Sequence, residues 1–139
     1  MRCPVSEYGK KFDRFVKIVQ ELRAEKGCPW DKEQTPDSLQ RYLHEETCEA
    51  LEAIKQGDRF DIRDELGDIL YVIVLMARIY EEEDSFNIND VVEAITEKMI
   101  RRHPHVFSDE KIETVSELRN RWQEIKKIEK SSGSEDKKN

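Results

Sequence analysis

The string Ile69-Leu70-Tyr71-Val72-Ile73-Val74-Leu75-Met76-Ala77 is apolar on every side when wound as a helix, in a chain of which 40% of residues are charged. An ordinary surface helix needs cover on one face, whereas this segment needs cover all round. It predicts either the central helix of a bundle or a helix that meets a second subunit. Glu65 and Asp68 lie one turn ahead of the run, at a spacing that puts them on one helix face. The segment therefore combines the most apolar part of the chain with a pair of acids at its mouth.

The surrounding pattern is helical nearly throughout. Only 5 Gly and 4 Pro interrupt 139 residues, and no strand-like alternation is sustained. The fold class expected is all-α, a helical bundle of four to five helices. The first helix runs from about Glu7 to Lys26, with Phe12, Phe15, Val19 and Leu22 on one stripe and Gly27 at its end. Thr35 reads as an N-cap with Pro36 at the first helical position, opening a second helix to about Gln56 that stops at Gly57. Asp58 can cap a third helix, which continues to about Glu82. Asn87 or Asn89 opens a fourth, which ends near Arg102 and is broken by His103-Pro104-His105. Thr114-Val115-Ser116-Glu117 fits a capping box and opens a fifth helix through about Lys130. By length this is one domain, residues 1–130, with a polar tail at 131–139 expected to be disordered.

The charge balance, 24 basic against 31 acidic residues or −7 in all, argues against a general nucleic-acid coat. It leaves room for a local basic pocket that takes a phosphorylated small molecule. Cys3, Cys28 and Cys48 form no Cys-x-x-Cys pair, and any disulfide would leave one over, as in a reducing cytosol. Met1-Arg2-Cys3-Pro4 lacks an apolar signal core, and the longest apolar run is far short of the roughly 20 residues that span a bilayer. The expectation is a cytoplasmic protein with no membrane or nucleic-acid partner. It is small enough that oligomerisation would help to cover its core.

The acids carry the chemistry. Projected at about 100° per residue, Leu39, Tyr42, Leu43, Ala50, Ala53 and Ile54 form an apolar arc on the second helix. Glu46 falls near the middle of that arc and Glu49 near its edge, while Glu45 and Glu52 project away. An ionised Glu inside an apolar stripe is costly unless it is paired or bound to metal. The short connection between the second and third helices favours antiparallel neighbours, so the Glu46/Glu49 and Glu65/Asp68 pairs can meet at one level. Four acids converging there would repel strongly unless a cation joined them. Hard carboxylate ligands suit magnesium, manganese or calcium, whereas zinc prefers His and Cys. A carboxylate di-iron bundle would want Glu-x-x-His on two helices, and neither motif here ends in His. The plainer reading is surface acids on amphipathic helices, and Glu46 within the apolar arc tells against it.

Glu45-Glu46-x-x-Glu49, fifteen intervening residues, then Glu65-x-x-Asp68 resembles the signature of the all-α nucleoside triphosphate pyrophosphohydrolases. The wider text resembles their MazG branch. Gly27-Cys28-Pro29-Trp30-Asp31-Lys32-Glu33-Gln34-Thr35 is similar to its opening loop, and Glu65-Leu66-Gly67-Asp68 to its second acidic motif. Glu97-Lys98-Met99-Ile100-Arg101-Arg102-His103-Pro104-His105-Val106-Phe107 is similar to its fourth-helix ending. The likeness covers roughly residues 8 to 130. Many members carry two such domains in tandem, and this chain has one.

The resemblance implies hydrolysis of a nucleoside triphosphate between the α and β phosphorus atoms, giving monophosphate and pyrophosphate. By matching positions, Glu46, Glu49, Glu65 and Asp68 would hold Mg2+, with Mn2+ as a substitute, and Glu49 is the candidate to take the proton of the attacking water. It also places phosphate-binding groups at Lys98 and Arg102, four apart on one face of the fourth helix. Arg101 and Arg102 there equally complement the helix dipole. Trp122 and Lys126 repeat the spacing on the fifth helix, for a base and a phosphate, although Leu118, Ile125 and Ile128 make a core role for Trp122 the plainer one. Trp30 either walls a base pocket or closes over the bundle, with the structural role preferred. His103 and His105 flank Pro104 without a third ligand motif, so a zinc site is not expected.

Three functions stay open on sequence alone. One is a magnesium-dependent pyrophosphohydrolase of (d)NTPs that removes non-canonical or excess nucleotides, its bundle completed by dimerisation or a higher homo-oligomer. Another is a narrower dUTP or dCTP pyrophosphatase. The third is a non-catalytic helical interaction module, suggested by the charged helical surface and disfavoured by the four acids.

Overall fold

The computed structural model describes residues 4–136, and among them the ordered elements are α-helices, with no strand. They form two units, the first ending at Ile88 and the second beginning at Asn89. The first holds α1 (Glu7–Arg23), α2 (Pro29–Glu33), α3 (Pro36–Gln56) and α4 (Arg59–Glu82). The second holds α5 (Ile88–Arg102) from its second residue on, with α6 (Pro104–Phe107) and α7 (Val115–Asp136).

The helix ends follow from local chemistry. Thr35 caps α3, its hydroxyl accepting from the Ser38 N–H while the Ser38 hydroxyl accepts from the Thr35 N–H, and Pro36 supplies the preset first turn. Gly57 ends α3 in the left-handed region at φ 79°, which a side chain would disfavour. Asp58 follows at once and caps α4, accepting from the N–H groups of Phe60 and Asp61. Two residues thus close one long helix and open the next, and α3 and α4 pack together as a hairpin.

The α1 helix stops at Arg23, short of the expected Lys26, because the chain folds back: the Cys28 N–H donates to the Leu22 carbonyl at 2.8 Å. Gly27 allows this approach, since a Cβ there would lie 2.2 Å from the Leu22 oxygen. The single-turn helices α2 and α6 were not expected from the sequence. At the other end, α7 continues past Lys130 to Asp136, into the segment expected to be a disordered tail, and residues 137–139 lie outside the described residues.

The core of the first unit is Val19 of α1, Leu39 of α3 and Val72, Val74, Leu75 and Ile79 of α4, with Phe12, Phe15, Tyr42, Leu43 and Tyr71 packed against it. Four of the six buried residues come from α4, so the apolar run is the central strut of this unit. Its cover is incomplete: Leu70 and Ile73 keep 40% and 38% of their surface, and Leu66 one turn earlier keeps 54%. Ile54, expected within the α3 apolar arc, is 55% exposed; it lies at the arc's edge in the last turn before the hairpin.

In the second unit Ile125 of α7 is buried. Thr114 accepts from the Glu117 N–H as a cap should, but the Glu117 carboxylate reaches back to the Glu113 N–H, one residue earlier than a standard capping box. Among the described residues no helix is long and apolar enough to cross a membrane.

Candidate metal centre

The hairpin brings the acids of α3 and α4 to one level. One carboxylate oxygen from each of Glu46, Glu49 and Glu65 lies within 4.8 Å of the other two. Glu46 and Glu65 are half-buried and Glu49 is exposed. The Glu46 Oε2 and Glu65 Oε2 atoms are buried and accept no hydrogen bond, and no ion pair among the described residues joins any of the three. Buried oxygens with neither proton donor nor countercharge are rare in folded proteins because each costs its full desolvation energy.

The electrostatics follow. Burial raises the Glu46 carboxyl above its ordinary value, and the charges of Glu49, Asp68 and Glu65 raise it further. Burial likewise raises Glu65, followed by Glu49, Asp68 and then Asp61. Asp68 stands outside the 4.8 Å group, yet its charge acts on both buried glutamates. The four residues read from the sequence thus share one electrostatic site, built from a tight trio and a near neighbour.

These residues fit a divalent cation. Two buried oxygens without a donor and an all-carboxylate donor set suit hard ions of the magnesium class. Glu45 is engaged elsewhere, its carboxylate 2.6 Å from the Arg41 Nε on the outer face of α3. His103 and His105 pack ring to ring with centroids 5.6 Å apart, and neither joins a group of three candidate ligands among the described residues.

The substrate candidates lie in the second unit. Arg102 is paired with Glu129, its Nη2 3.0 Å from Oε2, and Arg101 reaches the same carboxylate at 2.8 Å. Hydrogen bonds from Arg102 and then Arg101 hold Glu129 down to about 2. The Trp122 Nε1–H donates to the Arg102 carbonyl at 2.6 Å, and its ring meets His103 edge-on. Arg102 and Trp122 are therefore brought together, while Lys98 and Lys126 are half-buried on α5 and α7. Glu129 was missed in the sequence, although it stands two turns after Trp122 on the same face of α7.

The sequence also gave no warning of a second polar cluster in the first unit. Asp31 is only 4% exposed and accepts a hydrogen bond from the Tyr71 hydroxyl. Trp30 keeps 38% of its surface, with its ring edge-on to Tyr42 at 5.1 Å between centroids.

Comparison with known proteins agrees with this geometry. A family model described as the MazG nucleotide pyrophosphohydrolase domain matches residues 34–107, which include all four acids. The chain is 48% identical over 122 residues to a nucleoside triphosphate pyrophosphohydrolase of Escherichia coli K12, covering 87% of this chain and 46% of that protein. It is 41% identical over 126 residues to the nucleoside triphosphate pyrophosphohydrolase/pyrophosphatase MazG of Thermotoga maritima, covering 91% of this chain and 48% of that protein. The chain thus spans about half the length of these curated relatives. The crystal structure of a mazG-related protein from Thermotoga maritima superposes with a TM-score of 0.69 at 30% identity, covering 83% of this chain and 98% of that one. With the acids gathered on two adjoining helices and these matches across most of its length, the chain belongs to the MazG nucleotide pyrophosphohydrolase domain family.

Proposed function

We propose that this protein hydrolyses nucleoside triphosphates to monophosphate and pyrophosphate with Mg2+ as cofactor, Mn2+ serving as a substitute. The observation that carries the reading is the Glu46, Glu49 and Glu65 trio, with two buried oxygens left without a partner. Glu46, Glu49, Glu65 and Asp68 would hold the metal. When bound, the metal supplies charge neutralisation for the triphosphate and lowers the pKa of a coordinated water.

The chain's own side chains do the rest. Glu49 is the exposed member of the trio, which supports assigning it as the carboxylate that accepts a proton from the attacking water. Glu46 and Glu65, half-buried with one carboxylate oxygen of each out of solvent, are the ligands assigned to position the metal. Lys98, Arg102 and Lys126 are the cationic donors assigned to phosphate oxygens, and Trp122 the aromatic surface assigned to a base. Its Nε1–H bond to the Arg102 carbonyl would fix the two relative to each other.

The curated relatives from Escherichia coli and Thermotoga maritima, both named as nucleoside triphosphate pyrophosphohydrolases, support this reading. The biological role we assign is removal of non-canonical or excess nucleotides in the cytoplasm. Exposed Leu66, Leu70 and Ile73 on α4 support a homodimer in which this face is covered, and sedimentation as a monomer at micromolar concentration would contradict that part.

The test is a turnover screen across ribo-, deoxy- and modified nucleoside triphosphates with and without Mg2+, identifying both products. Pyrophosphate with the matching monophosphate, lost in chelator, is expected. Turnover of dUTP or dCTP alone would select the narrow pyrophosphatase, and no pyrophosphate from any substrate would favour the interaction module.

A further inference from the structure

The segment from Gly27 to Gln34 carries the single-turn helix α2, packs against α1, and is tied to its neighbours by side chains. The Arg23 Nη1 donates to the carbonyls of Asp31 and Gln34, at 2.6 and 3.2 Å. The Lys32 Nζ donates to the Glu25 carbonyl at 2.7 Å, and the Ser38 hydroxyl donates to Gln34 Oε1 at 2.7 Å. The remaining two contacts reach the helices that carry the acids. Trp30 lies edge-on against Tyr42, four residues before Glu46 on α3. Tyr71, three residues after Asp68 on α4, donates its hydroxyl to the Asp31 carboxylate. In a helical hairpin these two tyrosines sit one turn from the acids, on the side away from the Gly57 turn.

Most of these contacts would hold any loop. The Tyr71–Asp31 bond is different in kind, because it ties a carboxylate at 4% exposure to α4, the helix that also carries Glu65 and Asp68. Burying an acid is costly unless a donor meets it, and the Tyr71 hydroxyl is the side chain that does so. Burial first, and then the bond to Asp31, push the Tyr71 phenol above the usual tyrosine range, so it remains a donor at any working pH.

We propose that Tyr71 and Asp31 are positioning residues: their hydrogen bond fixes the Gly27–Gln34 segment as a wall beside the acid cluster, and so governs nucleotide binding without contributing to the metal site. The inference rests on the pyrophosphohydrolase reading. It predicts a split between substrate affinity and the rest of the machinery, because the hydroxyl touches none of the four acids.

The experiment compares wild type, Tyr71→Phe, Asp31→Ala and Asp31→Asn. Steady-state kinetics use each of the four common deoxynucleoside triphosphates, and the rise in melting temperature produced by Mg2+ is measured in parallel. For Tyr71→Phe and Asp31→Ala, KM should rise about tenfold, the size of one lost charge-assisted hydrogen bond. Both kcat and the Mg2+-induced melting shift should stay within about twofold of wild type. Asp31→Asn keeps an acceptor for the hydroxyl and should restore KM to within about threefold. Should Tyr71→Phe melt below the assay temperature, the Asp31→Asn/Tyr71→Phe double variant removes the stranded charge and reports the same KM change. Unchanged KM with a lower melting temperature would overturn the inference in favour of a purely structural tie. Loss of the Mg2+ shift would also overturn it, by placing the bond's effect on the metal. A wild-type protein that releases no pyrophosphate from these four is assayed with the ribo- and modified triphosphates of the wider screen, and inactivity on all of them brings down both readings together.

Discussion

Replacing Glu46 by Gln should make the metal-free protein more stable and the metal-loaded protein less so. The trio places carboxylate oxygens within 4.8 Å of one another. At 4.8 Å two unit charges repel by about 0.9 kcal/mol in a water-like dielectric and about 3.5 kcal/mol at an effective value of 20. Glu46 faces two such neighbours, Glu49 and Glu65, and its Oε2 is buried without a donor. Glutamine removes the charge but keeps one buried oxygen, so the net gain in chelator is about 1–2 kcal/mol. For a chain of this size that raises Tm by about 4–8 °C. Saturating Mg2+ reverses the order. Wild type gains about 2.7 kcal/mol at a hundredfold excess over Kd, whereas the variant has lost a ligand and gains little. Thermal unfolding followed by circular dichroism, in EDTA and in millimolar Mg2+, reads both halves. A variant less stable than wild type in EDTA, or shifted equally by Mg2+, would refute the argument that these carboxylates repel until a cation joins them.

Other perturbations test the frame around the site. Leu75 is fully buried in the central helix, so Leu75→Ala should cost about 3 kcal/mol and lower Tm by about 10 °C, read by thermal unfolding. Gly57 holds φ at 79°, so Gly57→Ala should cost about 1 kcal/mol in denaturant titration with little change in the slope. Glu129, held down to about 2 by Arg102 and Arg101, contributes stability that is present above the ordinary carboxylate value of 4.5 and is lost as pH falls from there toward 2. Glu129→Gln should therefore be less stable at neutral pH and decline more gently in acid, as measured by urea midpoints across that range.

The parts of the fold that were legible in the sequence are those with a local chemical cause. Thr35-Pro36 and Gly57-Asp58 announce the ends of α3 and α4 because capping and left-handed geometry depend on one or two residues. The single-turn helices α2 and α6 show no period, since one turn cannot repeat. The exposure of Leu66, Leu70 and Ile73 was hidden for another reason: an apolar run states that cover is needed but not how much of it one chain supplies.

The clustering of Glu46, Glu49 and Glu65 was legible because Glu46 and Glu49 stand at helical spacing beside an apolar face and a short turn joins their helix to that of Glu65. Asp31 with Tyr71, and Arg102 with Glu129, were not, because their partners stand 40 and 27 residues apart and meet only through tertiary packing. An aspartate in a Pro-Trp-Asp string reads as a solvated loop residue until the fold buries it.

Diffraction from crystals grown with Mn2+, recorded at an energy where manganese scatters anomalously, would show directly whether the helical acids hold an ion. A peak within coordinating distance of the carboxylates of Glu46, Glu49 and Glu65, with Asp68 beside it, is the predicted result. An ordered site with those side chains turned to solvent and no anomalous density between α3 and α4 would contradict it.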